Sequence, residues 1–190
     1  MPKGRLAILA GLLLVGMGAA ASAAELRDIK VDREGDFYTL RSVAWFGVPD
    51  EPLYSVLTNY DLFRHFTSAI VESENLEPDD EGHPRYFTRM EGCVLWFCKS
   101  FVRVGHLELK PDTEIVAIAD PELSDFKQSD ERWTLEPKKD GTVLVYEFEM
   151  VPDFWVPPII GPYLIQRALR SGGGDAIDRI EALAIAQYER

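Results

Sequence analysis

Alternating apolar and polar residues fill the middle of the chain and predict a series of β-strands. In one such segment Phe148 and Met150 share one parity, whereas Glu147 and Glu149 share the other. Because successive side chains of a strand point to opposite faces of a sheet, this segment has an apolar face and a charged face. Six segments of this kind lie between positions 70 and 151, separated by short turns with Pro-Asp, Asp-Pro and Asp-Gly pairs, and they predict an antiparallel meander.

Segments with helical spacing precede and follow the meander. Residues 49–60 predict a short helix with one apolar stripe, residues 61–66 predict a second, and residues 158–187 predict a long C-terminal helix. Residues 36–46 have strand composition, and residues 28–35 could pair with them as a hairpin. We therefore predict an α+β domain: a curved antiparallel sheet of about seven strands wrapped around the C-terminal helix, with two short helices after the first strand.

The loops at one end of the predicted sheet are apolar. Successive connections of an antiparallel meander alternate between its two ends, so residues 65–70, 93–98, 120–126 and 151–158 share an end. This end contains "CVLWFC" and "VPDFWVPP", whereas the opposite end has the charged turns "EPDDEG", "KPD" and "KKDG". Exposed apolar patches of this kind mark sites that contact a membrane or another protein, and Trp suits a membrane interface.

The two cysteines, Cys93 and Cys98, flank four residues in "GCVLWFCKS". A four-residue hairpin loop would place them opposite each other, with Cα atoms about 4.5–5.5 Å apart, which lies within the usual range for a disulfide. The spacing does not match a Cys-x-x-Cys redox pair. In an oxidising compartment the two residues are therefore expected to form a disulfide.

The first 24 residues have the layout of a secretory signal peptide. Lys3 and Arg5 precede an apolar run, and the small residues at positions 21–23 match an Ala-x-Ala cleavage site. The alternative is a transmembrane anchor, but the apolar run is short against the about 20 residues that a span needs. We therefore expect cleavage near Ala23 or Ala24 and a periplasmic or secreted mature chain.

The acidic balance of the chain argues against nucleic acid as a partner. The formal net charge is −12, and it becomes −14 once Lys3 and Arg5 are removed. A chain of this charge repels phosphate backbones and anionic head groups over long range. Residues 25–190 show no internal repeat or linker, and with 46% hydrophobic residues in the whole chain they are expected to form one domain with one core.

Three local motifs accompany this order of elements. They are "VPDEPLYSVLTNYDLFRHF", "WTLEPKKDGTVLVYEFEMVPDFWVPP" and, near the C-terminus, "AIDRIEALA". In the motifs and in element order, residues 25–190 resemble the START-like, helix-grip superfamily of ligand-binding domains. That superfamily includes the birch-pollen allergen, polyketide cyclase/dehydrase and coenzyme Q-binding START-domain types. The motifs are mostly structural, so they indicate a fold better than a function.

The resemblance implies a deep apolar cavity between the sheet and the C-terminal helix, filled by a hydrophobic small molecule such as a lipid, sterol, quinone or polyketide. Gly105, Ala117 and Ala119 on the same face favour open space, although a filled core also explains the aromatic residues. The glycine run 172–174 indicates a kink, a close approach or a simple break between two helices. The residues expected to line the cavity are Tyr60, Phe63, Tyr86, Met90, Phe101, Arg103, Leu107, Trp133, Tyr146, Phe148, Leu164 and Ala168. The residues expected at its mouth, at the apolar end of the sheet, are Leu95, Trp96, Phe97, Phe126, Phe154 and Trp155.

Arg103 is a charged residue with the parity of the apolar residues Phe101 and Leu107. It is therefore expected on the inner face of the sheet. A buried arginine needs a partner. That partner is either an internal carboxylate or an acidic or carbonyl group of a ligand.

Sequence motifs for catalysis and metal binding are missing from the chain. It contains no His-x-His, His-Glu-x-x-His or Gly-x-Ser-x-Gly motif. We therefore expect no metal, no cofactor and no catalytic residue. The favoured function is a non-catalytic carrier of a hydrophobic small molecule, which docks transiently on a membrane or partner protein through its apolar end. The alternatives are a cyclase/dehydrase-type enzyme that uses the same cavity, and a closed pocket whose apolar end serves only protein interaction.

Overall fold

Eight strands form one sheet in the computed structural model, which describes residues 24–94, 97–156, 161–171 and 173–189. For residues 93, 94, 97, 171 and 173–175 only the backbone is described. The strands are β1 (Glu25–Glu34), β2 (Phe37–Phe46), β3 (Ile70–Leu76), β4 (Arg85–Val94), β5 (Phe97–Lys110), β6 (Glu114–Ala119), β7 (Phe126–Lys138) and β8 (Gly141–Pro152). All neighbours pair antiparallel, in the order β1-β2-β8-β7-β6-β5-β4-β3.

The hairpin of β1 and β2 accounts for the difference from the predicted strand count. The two strands pair around a turn in which Gly35 has a φ of 61°, a backbone conformation that favours glycine. The expected number of about seven strands was therefore one too low, and the two short helices follow the second strand. The α+β class and the curved antiparallel sheet are confirmed.

Four helices complete the described fold: α1 (Asp50–Thr58), a 3-10 helix (Tyr60–His65), α2 (Gly161–Ser171) and α3 (Gly173–Tyr188). The apolar stripe of α1 is fully buried, as its spacing predicts. Helical conformation extends to both sides of Gly172, which lies outside the described residues together with 157–160. The kink or break expected at the glycine run therefore stays a prediction.

Two groups of buried apolar side chains form the core. The larger group joins the helices to the middle of the sheet, and includes Leu53, Val56 and Leu57 of α1 together with Ile180 and Ala184 of α3. The smaller group lies where β1, β2 and the end of β8 meet, and consists of Val31, Tyr38, Leu40, Phe126, Phe148 and Met150. Tyr146 packs against both groups.

Gly105 allows two strands of the sheet to pack closely and does not open space for a cavity. A Cβ atom at this position would lie 2.0 Å from the backbone oxygen of Ile118 and 2.9 Å from the Cα of Ala119. Glycine therefore lets the backbone of β6 approach β5 closely. The interpretation of Gly105 as a residue that leaves room for a ligand was wrong, because the freed space is filled by a neighbouring strand. Ala117 and Ala119 are also buried.

The tip of the β4–β5 hairpin contains the two cysteines. The backbone register places Cys93 opposite Cys98, as the spacing predicts. Formation of the disulfide itself stays a prediction. Leu95 and Trp96 lie outside the described residues, as does the side chain of Phe97.

Candidate ligand-binding cavity

A cavity of about 260 Å³ lies between the inner face of the sheet and the helices. It separates the two core groups, since it is lined by Phe46 and Ile180 of the larger and by Leu40 and Phe148 of the smaller. Its volume is close to the about 300–1,000 Å³ that is typical of small-molecule sites. The lining is mostly apolar, and the polar side chains in it are Ser42, Thr67, Thr88, Arg103, Glu131, Trp133 and Tyr146.

The structure brings together more than half of the residues that were expected to line a cavity. Those in the lining are Phe63, Met90, Arg103, Trp133, Tyr146, Phe148 and Ala168. Whether they contact a ligand stays a prediction.

Five of the expected residues do not line the cavity, because they pack elsewhere. Tyr60 and Tyr86 are fully buried and stack on each other with ring centroids 4.3 Å apart. Leu107 lies in the larger core group. Phe101 packs against Phe154, as described below, and Leu164 is half-buried on α2. Parity identifies the inner face of a strand, but it does not distinguish a packed residue from one beside open space.

Arg103 and Glu131 form an ion pair inside the domain. The Arg103 Nη1 lies 2.7 Å from Glu131 Oε1, and the two side chains are 4% and 9% exposed. Arg103 Nη2 also donates to Tyr86 Oη and to the carbonyl oxygen of Ser129, both at 3.3 Å. Tyr146 Oη donates to Glu131 Oε1 at 3.1 Å. The internal carboxylate that Arg103 requires is therefore Glu131.

Glu131 is the charged residue of the site that sequence reasoning missed. The signal was present, because Glu131 has the parity of Trp133 and Leu135, which were assigned to the inner face. Parity therefore predicts that Glu131 lies on the inner face, although it does not identify the partner of that carboxylate.

Burial controls the protonation of the polar groups around this pair. Desolvation lowers the pKa of Arg103, but the Glu131 carboxylate and the surrounding tyrosines Tyr86, Tyr60 and Tyr146 together outweigh it and keep the pKa above its ordinary value. Desolvation raises the pKa of Tyr86 to about 12. It also raises the pKa values of Tyr60 and Tyr146 well above the ordinary value. At neutral pH the tyrosine hydroxyls are therefore protonated and the arginine is charged.

Several buried polar atoms of this region lack a hydrogen-bond partner within the described residues. Four of them belong to residues that line the cavity: Thr88 Oγ1, Arg103 Nε, Glu131 Oε2 and Trp133 Nε1. Most buried polar groups in proteins are paired, and an unpaired one costs about 1–3 kcal/mol. These four residues border the cavity, whereas the unpartnered atoms themselves are buried.

Three phenylalanines pack together at the end of the sheet where the mouth was expected. The ring of Phe154 lies 4.4 Å from that of Phe101 and 5.8 Å from that of Phe126, and Lys99 Nζ lies 4.3 Å from the Phe154 ring centroid. Phe126, which was expected at the mouth, is only 4% exposed. Trp155, in contrast, is 77% exposed.

A larger depression, of about 530 Å³, lies on the outer face of the sheet. Its lining is mostly charged and includes Lys30, Arg41, Arg132, Glu147 and Glu149. Such a surface does not suit an apolar ligand, so the inner cavity is the better candidate site.

The described part of the chain lacks both a cluster of metal ligands and a helix suited to the interior of a membrane. No group of three or more His, Cys, Asp or Glu side chains there could hold a metal ion. None of the helices in those residues combines the length and the apolar character needed to cross a membrane.

Comparison of the sequence with known families gives one match. Residues 47–165 match the family described as polyketide cyclase/dehydrase and lipid transport. No curated protein sequence matches the chain significantly.

Similar folds occur in solved structures of low sequence identity. The Zhui aromatase/cyclase from a Streptomyces species is 12% identical, with a TM-score of 0.62 over 80% of this chain and 96% of that one. The protein TTHA0849 from Thermus thermophilus is 15% identical, with a TM-score of 0.61 over 78% and 98%. A STAR-related lipid transfer protein from Xanthomonas axonopodis is 18% identical, with a TM-score of 0.56 over 88% and 99%.

Proposed function

Because the chain belongs to the polyketide cyclase/dehydrase and lipid transport family, we propose that it is a carrier of a hydrophobic small molecule outside the cytoplasm. The observation that carries this proposal is the mostly apolar cavity between the sheet and the helices. An apolar ligand gains about 25 cal/mol for each Å² of surface that it removes from water in such a space. The ligand class is a lipid, sterol, quinone or polyketide-like molecule.

The unpartnered polar atoms on residues of the cavity lining favour a ligand that has a polar end. Glu131 Oε2 can accept a hydrogen bond, whereas Trp133 Nε1 and Arg103 Nε can donate one. A group that both donates and accepts, such as a hydroxyl, satisfies atoms of both kinds. A ligand without any polar group would leave them unpaired and would bind less tightly.

The extracytoplasmic location rests on the N-terminal sequence. A positive start, an apolar run and an Ala-x-Ala site precede the first strand, β1, which begins at Glu25. The opposed positions of Cys93 and Cys98 favour a disulfide, which persists in an oxidising compartment.

Native mass spectrometry of protein purified from its own host tests ligand binding. We expect an apolar molecule to co-purify. Ser42→Phe should reduce its occupancy by at least about tenfold, because excluding two ligand CH₂ groups at about 0.8 kcal/mol each already corresponds to this factor. Ser42 lines the cavity from β2, so a phenyl ring there occupies ligand space.

Val43→Phe is the matched control, because Val43 lies next to Ser42 on the opposite face of β2 and does not line the cavity. This variant should retain the ligand. Equal occupancy in both variants, or wild-type protein with no bound molecule, would contradict the proposed carrier function.

A second candidate function is a cyclase/dehydrase-type reaction in the same cavity. The observation that favours it is the unpartnered oxygen of Glu131 beside the Tyr146 hydroxyl, since a carboxylate in an apolar site can act as a general base. Incubation of the co-purified molecule with fresh protein separates the two functions. An unchanged mass supports the carrier, and a conversion that Glu131→Gln abolishes supports the enzyme.

We also propose that the apolar end of the sheet docks on a membrane through Trp155. Trp155→Ser should weaken binding to phosphatidylcholine vesicles by about tenfold, since one buried aromatic side chain accounts for about 1.4 kcal/mol or more. The melting temperature should hardly change, because Trp155 is 77% exposed. Zwitterionic vesicles are chosen because an acidic chain is repelled by anionic lipids.

Tyr188→Ser serves as the control for vesicle binding, because Tyr188 is also highly exposed but lies at the C-terminal end of α3. Flotation with vesicles measures the bound fraction. Equal binding by wild type and both variants would exclude docking through Trp155.

A further inference from the structure

A buried carboxylate on α3 accepts a hydrogen bond from the backbone of the first described residue, Ala24. Glu181 is only 6% exposed. Its Oε2 accepts a hydrogen bond from the Ala24 backbone nitrogen, and its Oε1 accepts one from that of Gly47, both at 2.7 Å. Glu181 therefore connects α3 to the residue before β1 and to the residue after β2.

Within the described part of the chain, Glu181 has no cationic side chain as a partner. Among the ion pairs of the described residues, none involves Glu181. A buried carboxylate is costly unless a positive charge or several hydrogen bonds compensate it. In the unprocessed chain the donor at Ala24 is a neutral amide, so both hydrogen bonds come from uncharged groups.

Ala24 is also the residue that follows the Ala-x-Ala site at positions 21–23. Hydrolysis of the Ala23–Ala24 peptide bond by a peptidase consumes one water molecule. It leaves a carboxylate on Ala23 and, at neutral pH, an ammonium group on Ala24. The nitrogen that becomes positively charged is the same atom that lies 2.7 Å from Glu181 Oε2.

We propose that Glu181 is the binding site for the new N-terminus, and that removal of residues 1–23 completes an ion pair between the Ala24 ammonium and Glu181. This inference rests on the proposed export of the chain. Pairing of Glu25 with Trp45 in the β1–β2 ladder holds the terminus in register. A chain that began at Glu25 would have its ammonium displaced by about 3.3 Å, one residue along the strand.

The ion pair would connect processing to the ligand site. Glu181 follows Ile180 on α3, and Ala176, Ile177 and Ile180 of the same helix line the cavity. A charge-assisted hydrogen bond is roughly twice as strong as a neutral one. Processing therefore strengthens the attachment of a cavity-lining helix to the sheet.

The stability of chains with different N-termini tests the pairing without any ligand. Residues 24–190 contain every described strand and helix. This chain, released from a fusion so that it begins at Ala24, is compared with the same chain carrying one additional glycine before Ala24. The extension moves the ammonium away and should increase the unfolding equilibrium constant in urea about tenfold.

Glu181→Gln in both chains completes a double-mutant cycle. In the background of this substitution the added glycine should change the unfolding constant by less than about twofold, since the carboxylate and its coupling to the ammonium are removed. Asp178→Asn, an exposed carboxylate on the same helix, should preserve the full tenfold effect. If the added glycine changes the unfolding constant equally with and without the Glu181 carboxylate, the proposed ion pair is wrong.

N-terminal sequencing of the exported protein gives an independent result. A chain that begins at Ala24 supports the proposal, and one that begins at Glu25 overturns it. Retention of residues 1–23 in the exported protein would overturn the proposal, but it would leave the proposed export and ligand binding unaffected.

Discussion

Replacing Arg103 by methionine is expected to lower the free energy of unfolding by about 3–5 kcal/mol, which is the range for breaking a buried ion pair by removing one partner. Glu131 would remain buried with a negative charge, and its only described donor would be the Tyr146 hydroxyl. Urea unfolding at neutral pH, followed by tryptophan fluorescence, measures this change.

Two further variants show whether the uncompensated charge of Glu131 causes the loss of stability in Arg103→Met. The double variant Arg103→Met with Glu131→Gln should recover much of the lost stability, because no charge then remains in the interior. Arg89→Met removes an arginine from β4 whose partners Glu72 and Glu91 are both exposed. This substitution should lower the free energy of unfolding by no more than about 1 kcal/mol. If Arg103→Met lowers the free energy of unfolding as little as Arg89→Met does, the buried ion pair does not stabilise the fold by the expected amount.

Replacing Gly105 by alanine is expected to lower the free energy of unfolding by about 3 kcal/mol, at the upper end of the usual overpacking cost. The added Cβ would lie 2.0 Å from the backbone oxygen of Ile118. A backbone oxygen cannot move aside as a side chain can, so β6 would have to separate from β5. Thermal and urea unfolding both measure the loss.

Gly92→Ala is the control for Gly105→Ala, because Gly92 lies in the neighbouring strand β4. Among the described atoms, a Cβ there would meet Phe101 Cε2 alone, at an ordinary distance of 3.6 Å. This variant should leave stability unchanged or raise it slightly, because alanine restricts the unfolded chain more than glycine does. Similar losses in both variants would mean that the effect comes from strand glycines in general and not from the close approach of β6.

The two substitutions expected to lower stability most, at Arg103 and Gly105, differ in how they bear on ligand binding. Gly105 shapes the sheet on which the site is built. The Arg103–Glu131 pair, in contrast, lies in the lining of the cavity itself. A polar ligand group that binds there would interact with the same atoms that determine stability, so ligand binding and folding are expected to be coupled. The family of the chain is established by its match, whereas the identity of its ligand is a matter for the experiments above.

Strand and helix positions could be predicted because they depend on local periodicity. The alternation of Phe148 and Met150 with Glu147 and Glu149 assigned the faces of β8, since a strand has a period of two residues. The spacing of Leu53, Val56 and Leu57 identified the buried stripe of α1. The position of Cys93 opposite Cys98 followed from loop length alone.

The same reasoning misjudged residues whose role depends on distant partners. Gly105 was read as open space, but β6 fills that space. Phe126 was expected at the cavity mouth, but it is buried against Phe101 and Phe154. Parity states which face of the sheet a side chain occupies and contains no information about what packs against that face.

The sequence by itself thus determined the class of fold, the antiparallel meander and the inner position of Arg103, because each depends on patterns within a few residues along the chain. Only the tertiary structure decided that Glu131 is the partner of Arg103, since 28 positions separate them and their strands are not neighbours in the sheet. It likewise brought the Ala24 nitrogen to Glu181, which is 157 positions away. Contacts at such separations arise from how the sheet curves and how the helices close over it, and no local pattern records that geometry.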